Sequence, residues 1–337
     1  MVQALADVDS SSEGDRILHR SYLSDRLSLT EFSVAVSFGP ELKAFNALQL
    51  IGLIGSISVL VTALFSSVPH QATWYNFFIS WTVFCASYLL LFFAGHAYDG
   101  DPELSLCIAQ SSLTYAASPF SAACSLAMVI QLYINIQTSL TGRSVRGKQY
   151  WRIVLMITPY VIFTTLIIES LSLSLSTPNA KFSAVSYCSL ENHIPGRITA
   201  ALVVILVVPM LVLNLLIYLS FRKHWTFLQK GNYTSMFVRV SAFTLFGIAS
   251  VIVGLLFFLL AFIGAGNSNK GLVELDIILS MMPIAAVVIF GSHKDLLDVC
   301  LYYWRKYDGR QISGAKAEKP LPPVPRVRVE YHIDPIE

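Results

Sequence analysis

Two cysteines, three acidic side chains and one arginine are the residues whose types and positions promise chemistry in this chain. Cys107 opens a long run of small residues, and Cys188 sits in the polar stretch between two later apolar runs. A bond between them would close a ring of about 80 residues and hold that polar stretch over the end of the helix Cys107 begins. The alternative is two free, partly buried thiols. Pairing is the expectation, because Cys85, Cys124 and Cys300 fall within or beneath apolar spans and leave Cys107 and Cys188 as the external pair. Glu169, Glu274 and Asp276 interrupt otherwise apolar runs, where charge is expensive and functional by default. The competing use is snorkelling to the headgroups. Glu274 and Asp276 stand two apart on a helix and point in nearly opposite directions, so at most one faces the interior, and Asp276 is the deeper. Gln110, Thr114 and Tyr115 recur at helical spacing near the same depth. With Glu169 and Asp276 they could line a polar ligand pocket; interhelical hydrogen bonding is the other use open to them. Arg239, one turn into a later span, would turn inward towards Tyr133, Asn135 and Gln137, and with Arg143, Arg146, Arg222 and Lys223 these would line an inner crevice that a partner could enter; orienting the chain by charge alone is the other use open to them.

The elements that must position these residues are membrane helices. The chain is 55% hydrophobic and 13% charged, against roughly a quarter charged in soluble globular domains. The stretch Cys107 to Gln137 is apolar yet crowded with serine, alanine and threonine, and its 31 positions would cover roughly 46 Å as a helix. Small side chains on every face let neighbouring backbones come close, so this stretch reads as the central post of a bundle. Spans of membrane length are expected at 43–66, 74–95, 107–137, 150–173, 198–220, 237–264 and 272–291, seven in all. Pro119, Pro159, Pro209 and Pro283 interrupt four of them, each permitting a hinge or a static kink.

Basic residues set the expected orientation. Arg143, Arg146 and Lys148 follow the third span and Arg222, Lys223 and Lys230 the fifth, whereas Asp99, Asp101 and Glu103 follow the second. Positive loops stay in the cytoplasm, which puts the N-terminus outside and the C-terminus inside. The sequon at Asn232 then lies inside and stays silent. No early apolar run follows the first residues, so no cleavable signal peptide is expected. Residues 1–42 carry seven acidic side chains and read as a disordered outer tail ahead of the bundle at 43–291. Residues 292–308 alternate apolar and charged side chains as an amphipathic helix on the inner leaflet, where Cys300 could carry a palmitoyl chain that strengthens the hold on membrane lipid. A buried free thiol is the other reading of Cys300. Residues 309–337 form a disordered, proline-rich tail whose Lys319-Pro-Leu-Pro-Pro-Val-Pro has the spacing an SH3 groove accepts, a match also common by chance.

Seven spans, an outer N-terminus, a third-span cysteine paired to the second outer loop and a short inner-leaflet eighth helix together resemble the G protein-coupled receptor architecture. The stretches CIAQSSLTYAASPF, LAMVIQLY, IPGRITAALVVILVVP, FVRVSAFTLFGI and VIFGSHKDLLDVCLYYWRK resemble the seven-span receptor-like proteins of mushroom-forming fungi and, more loosely, fungal pheromone and nutrient receptors. That resemblance implies an all-α seven-helix membrane fold and a sensor that carries an extracellular small-molecule or peptide signal to a cytoplasmic heterotrimeric G protein. It supplies no ligand. Rhodopsin-like receptors differ clearly: Leu132-Tyr133-Ile134 stands where Asp-Arg-Tyr would end span three, span six has no proline, and Pro283 lacks the Asn-Pro-x-x-Tyr setting. The seventh span as read holds no lysine for a retinal Schiff base. A seven-span small-solute transporter is the alternative, but neither a Pro-Gln pair nor matched proline positions mark a three-helix repeat. A zinc hydrolase would need histidines gathered at one membrane face, and His70, His96, His193 and His293 are not so placed. No nucleophile motif or phosphate loop appears, so no enzyme activity, cofactor or metal is expected; nor is a nucleic-acid partner, since the basic residues sit between apolar spans rather than in one groove.

Overall fold

A computed structural model describes residues 39–65, 71–97, 102–141, 148–176, 182–184, 187–190, 194–224, 237–249, 252 and 268–291. The described chain is a helical bundle with one small β-hairpin. Its helices are α1 (Gly39–Phe65), α2 (Ala72–Tyr88, followed by a further helical turn Leu90–Phe93), α3 (Leu104–Thr141), α4 (Lys148–Ser176), α5 (Ile194–Lys223), α6 (Phe237–Ala249) and α7 (Ser268–Gly291). Four of them, α1, α3, α4 and α5, are long and apolar enough to cross a membrane, which marks an integral membrane protein. α6 and the Asp276–Gly291 part of α7 are shorter apolar helices. The amphipathic segment with Cys300, the proline-rich tail, Arg143, Arg146 and most of the N-terminal tail lie outside the described residues.

Helix ends depart from the sequence reading for local reasons. The expected tail 1–42 gives way to helix at Gly39, because Pro40 suits a first turn and Glu41 complements the positive helix end. α5 likewise starts at Ile194, with Pro195 in its first turn. α3 runs for 38 residues, beyond the 31 expected. In its last turns Thr138 and Thr141 return their hydroxyls to the carbonyls of Ile134 and Gln137, at 2.8 Å each, so these polar side chains are satisfied within the helix. Starting α7 at Ser268 brings Lys270 into the helix, one turn from its end.

α3 is the packed centre. It contacts α2, α4, α5 and the hairpin, while α1 packs on α2 and α7. In its most apolar window 67% of residues are inside, against 11% for α5. The small residues make this possible without leaving polar atoms stranded. Ser112, Ser121 and Ser125 each donate to the carbonyl four residues back, so their hydroxyls are satisfied within the helix itself. By contrast, Ile153, Ile157 and Ile168 on α4 and Ile205, Val208 and Leu215 on α5 stand exposed, as a lipid-facing surface requires. Four helices continue past an internal proline: α3, α4, α5 and α7.

The all-α expectation needs one amendment. Phe182–Ala184 and Cys188–Leu190 pair as antiparallel strands β1 and β2, with Phe182 opposite Leu190 and Ala184 opposite Cys188. Pairing satisfies the backbone of a segment that lies against a helical bundle and has no helix of its own to do so.

Candidate functional site

The hairpin is fastened to the bundle at several points. Cys107, in the first turn of α3, is disulfide-bonded to Cys188 at the start of β2; their Cα atoms are 5.1 Å apart and both residues are buried with Leu91. One turn along α3, Gln110 is fully enclosed. Its side-chain oxygen accepts the Cys188 N–H at 2.9 Å, and its amide nitrogen donates to the carbonyls of Ser87 at 3.3 Å and Tyr88 at 3.0 Å, at the end of α2. A helix end leaves carbonyls without intrahelical donors, and an amide supplies both polarities in one side chain. Tyr115 continues the fastening: its hydroxyl accepts the Leu190 N–H at 3.2 Å, and its own carbonyl accepts Thr199 of α5 at 2.9 Å. Thr114 is buried with its hydroxyl returned to the Ser111 carbonyl. Of the two uses the sequence left open for Gln110, lining a pocket or bonding between helices, the structure shows the second: its side chain joins α2, α3 and β2.

Gln110→Leu keeps the volume and removes both functions, leaving the Cys188 N–H and two carbonyls unpaired in an apolar setting. The expected cost is about 1–3 kcal/mol. Thermal unfolding of the disulfide-intact variant checks it, and an unchanged midpoint would show the bridge holds the hairpin without help.

Beside the disulfide, Tyr187 reaches into the bundle. Its hydroxyl donates to Asp276 Oδ1 of α7 at 3.3 Å. Its ring stacks on Phe45 of α1 at 6.3 Å and meets Tyr88 of α2 edge-on at 4.9 Å, and Phe45 and Tyr88 are themselves 5.9 Å apart. Burial, with the neighbouring Asp276 carboxyl, pushes the Tyr187 phenol well above its usual range, so it stays a donor. Asp276 is half-buried. Below it the Ser280 hydroxyl donates to the Asp276 carbonyl at 2.7 Å, and Gln49 of α1 donates to Ser280 at 3.4 Å. The Gln49 side-chain oxygen is buried and has no hydrogen-bond partner among the described residues. Glu169 lies on α4, half-buried, with one carboxyl oxygen enclosed and without a hydrogen-bond partner among the described residues. The side chain of Glu274 lies outside those described.

At the opposite end of the helices the arginine takes a different partner from the one sequence suggested. Arg239 is half-buried, but its guanidinium donates to the Phe290 backbone carbonyl of α7 at 3.4 Å, not to α3. Asn135 accepts from Gln131 at 3.1 Å within α3, while Tyr133 and Gln137 are half-buried on the same helix. An aromatic cluster explains the choice. Phe77 lies 5.2 Å from Phe243 and 5.0 Å from Phe290, drawing α2, α6 and α7 together and bringing the α7 backbone to Arg239. Arg222 and Lys223 are exposed in the last turn of α5, where positive charge complements the helix end.

Sequence reasoning passed over Phe45, Tyr88 and Tyr187. For Tyr187 a signal existed, since a residue adjacent to a bridging cysteine is carried to wherever the bridge is anchored. Phe45 and Tyr88 look like ordinary span-end aromatics. Among the described residues no group of three or more His, Cys, Asp or Glu side chains is placed to hold a metal. Neither a family model nor a curated protein matches the chain.

Proposed function

We propose that this protein is a seven-helix receptor of the plasma membrane, with its N-terminus outside, that senses an extracellular chemical ligand under the tethered hairpin and passes the signal to a cytoplasmic heterotrimeric G protein. The observation that carries this reading is the Tyr187–Asp276 hydrogen bond. Through it the hairpin, already bonded covalently to α3, also touches α7. α7 in turn offers its Phe290 carbonyl to Arg239 of α6 at the far end, with Pro283 between the two contacts. A ligand that shifts Asp276 would therefore bias a proline-containing helix whose other end holds α6. Outward movement of α6 is how a seven-helix receptor opens a crevice for its partner.

The test is nucleotide exchange on candidate Gα subunits by the protein in reconstituted membranes. Arg239→Ala removes a charge-assisted bond worth about 1.5–3 kcal/mol and should raise basal exchange by about tenfold if that bond favours the closed state. Arg143→Ala should leave exchange near the parental rate. Parental exchange in the Arg239→Ala protein at normal surface expression would reject the α6–α7 tie, and no exchange with any Gα class would reject G protein coupling.

A further inference from the structure

We infer that the seat around Asp276 recognises an organic cation, a protonated or quaternary amine, and that Tyr187 occupies this seat when no ligand is bound. The inference deepens the receptor reading by naming its ligand class. It begins with the charge of Asp276. The Tyr187 hydroxyl is its side-chain hydrogen-bond donor among the described residues, and no basic side chain there is paired with it. A carboxylate half-buried among rings and helices calls for a compensating positive charge.

The chemistry around it selects the kind of cation. The rings of Phe45, Tyr88 and Tyr187 lie 4.9–6.3 Å from one another, drawn from α1, α2 and the hairpin, and the Tyr187 hydroxyl reaches that carboxyl. Aromatic faces attract ammonium groups and are the usual means of holding quaternary nitrogen. Inorganic cations such as calcium instead need six to eight oxygen ligands, which three rings cannot supply.

Tyr187 makes the seat one that must be opened. It adjoins Cys188, so the disulfide and the Gln110 bond to the Cys188 N–H fix the hairpin while the tyrosine side chain reaches beyond that anchor. A neutral hydroxyl at 3.3 Å offers the carboxylate one hydrogen bond and no charge, whereas an organic cation offers a full positive charge at close range, with N–H donors besides when the amine is protonated. An arriving amine would displace the hydroxyl from Asp276 and keep the Tyr187 ring as one wall.

The experiment uses full-length protein in lipid nanodiscs, with benzyltrimethylammonium as probe and neopentylbenzene as its uncharged isostere. Binding is read as the shift in thermal unfolding followed by tryptophan fluorescence. The charged probe should stabilise the parent in a saturable manner and the isostere should not. Asp276→Asn should weaken probe binding by at least about tenfold. Tyr187→Phe, which keeps the ring and frees the carboxyl, should tighten it about two- to tenfold. Equal stabilisation by both compounds, or parental affinity in a folded Asp276→Asn protein, would overturn the cation seat. Stabilisation by sodium chloride matching that by the probe would overturn the organic class. Unchanged or weaker binding in Tyr187→Phe, a conservative variant that does not depend on Asp276→Asn folding, would overturn the occupied seat. No G protein enters this measurement, so saturable binding without nucleotide exchange would remove the coupling and leave the ligand class standing.

Discussion

Replacing Cys107 and Cys188 together by serine should strip most of the protein from the cell surface and lower its thermal unfolding midpoint more than any other pair of surface-end substitutions. The bridge spans a sequence separation of 81. In the chain-entropy picture a ring of that size limits the unfolded ensemble by about 4 kcal/mol. The loss is not only entropic. Without the bond, the hairpin is left with the Gln110 and Tyr115 hydrogen bonds to its backbone and the Tyr187 contact with Asp276, each worth about 1 kcal/mol net. Neither Cys85 nor Cys124 offers a substitute, since both are free thiols buried within the bundle. Surface immunolabelling and unfolding of detergent-purified protein measure the effect, and a double-serine variant matching the parent in both would show the hydrogen bonds suffice. Peptide mapping without reduction should recover the two cysteine peptides joined.

The second large effect belongs to the α1–α7 seam. A Cβ at Gly52 would stand 2.8 Å from the Pro283 Cβ and 3.1 Å from the Cys85 sulfur, closer than carbon atoms pack. Neither neighbour can yield easily: Pro283 is part of a ring locked to its own backbone, and Cys85 is fully buried. Gly55 against Val287 and Gly291 against Val59 extend the same close approach along the two helices. Gly52→Ala should therefore cost about 1–3 kcal/mol through overpacking, and Gly52→Leu should prevent α1 from docking on α7. Gly247→Ala is the control. Its new methyl would meet the mobile end of Met282 at 3.5 Å, an ordinary contact, and alanine favours helix over glycine by about 1 kcal/mol. Thermal unfolding of both alanine variants decides the matter; equal midpoints would mean that the helices separate at no cost and that the seam is not tightly packed.

What sequence alone determined here is what depends on composition and local spacing. The apolar runs that became α1, α3, α4 and α5 had to be helical, because a single segment satisfies its own backbone in lipid only as a helix. The crowding of serine and alanine from Cys107 to Gln137 marked α3 as the helix others approach, since side-chain size is read directly from residue type. Position relative to the spans singled out Cys107 and Cys188, and charge within an apolar run singled out Asp276. What only the tertiary structure decided is which partner each polar group takes. Gln110 could have lined a pocket or bonded between helices, and its oxygen goes to a backbone N–H 78 residues away; Tyr187 finds a carboxyl 89 residues away; Arg239 passes over three polar side chains for a backbone carbonyl 51 residues away. A main-chain carbonyl is present at every position, so no residue type advertises which one will be reached. That choice follows from where the packed rings of Phe77, Phe243 and Phe290 bring the helices, and from the register of the hairpin, both properties of the folded whole.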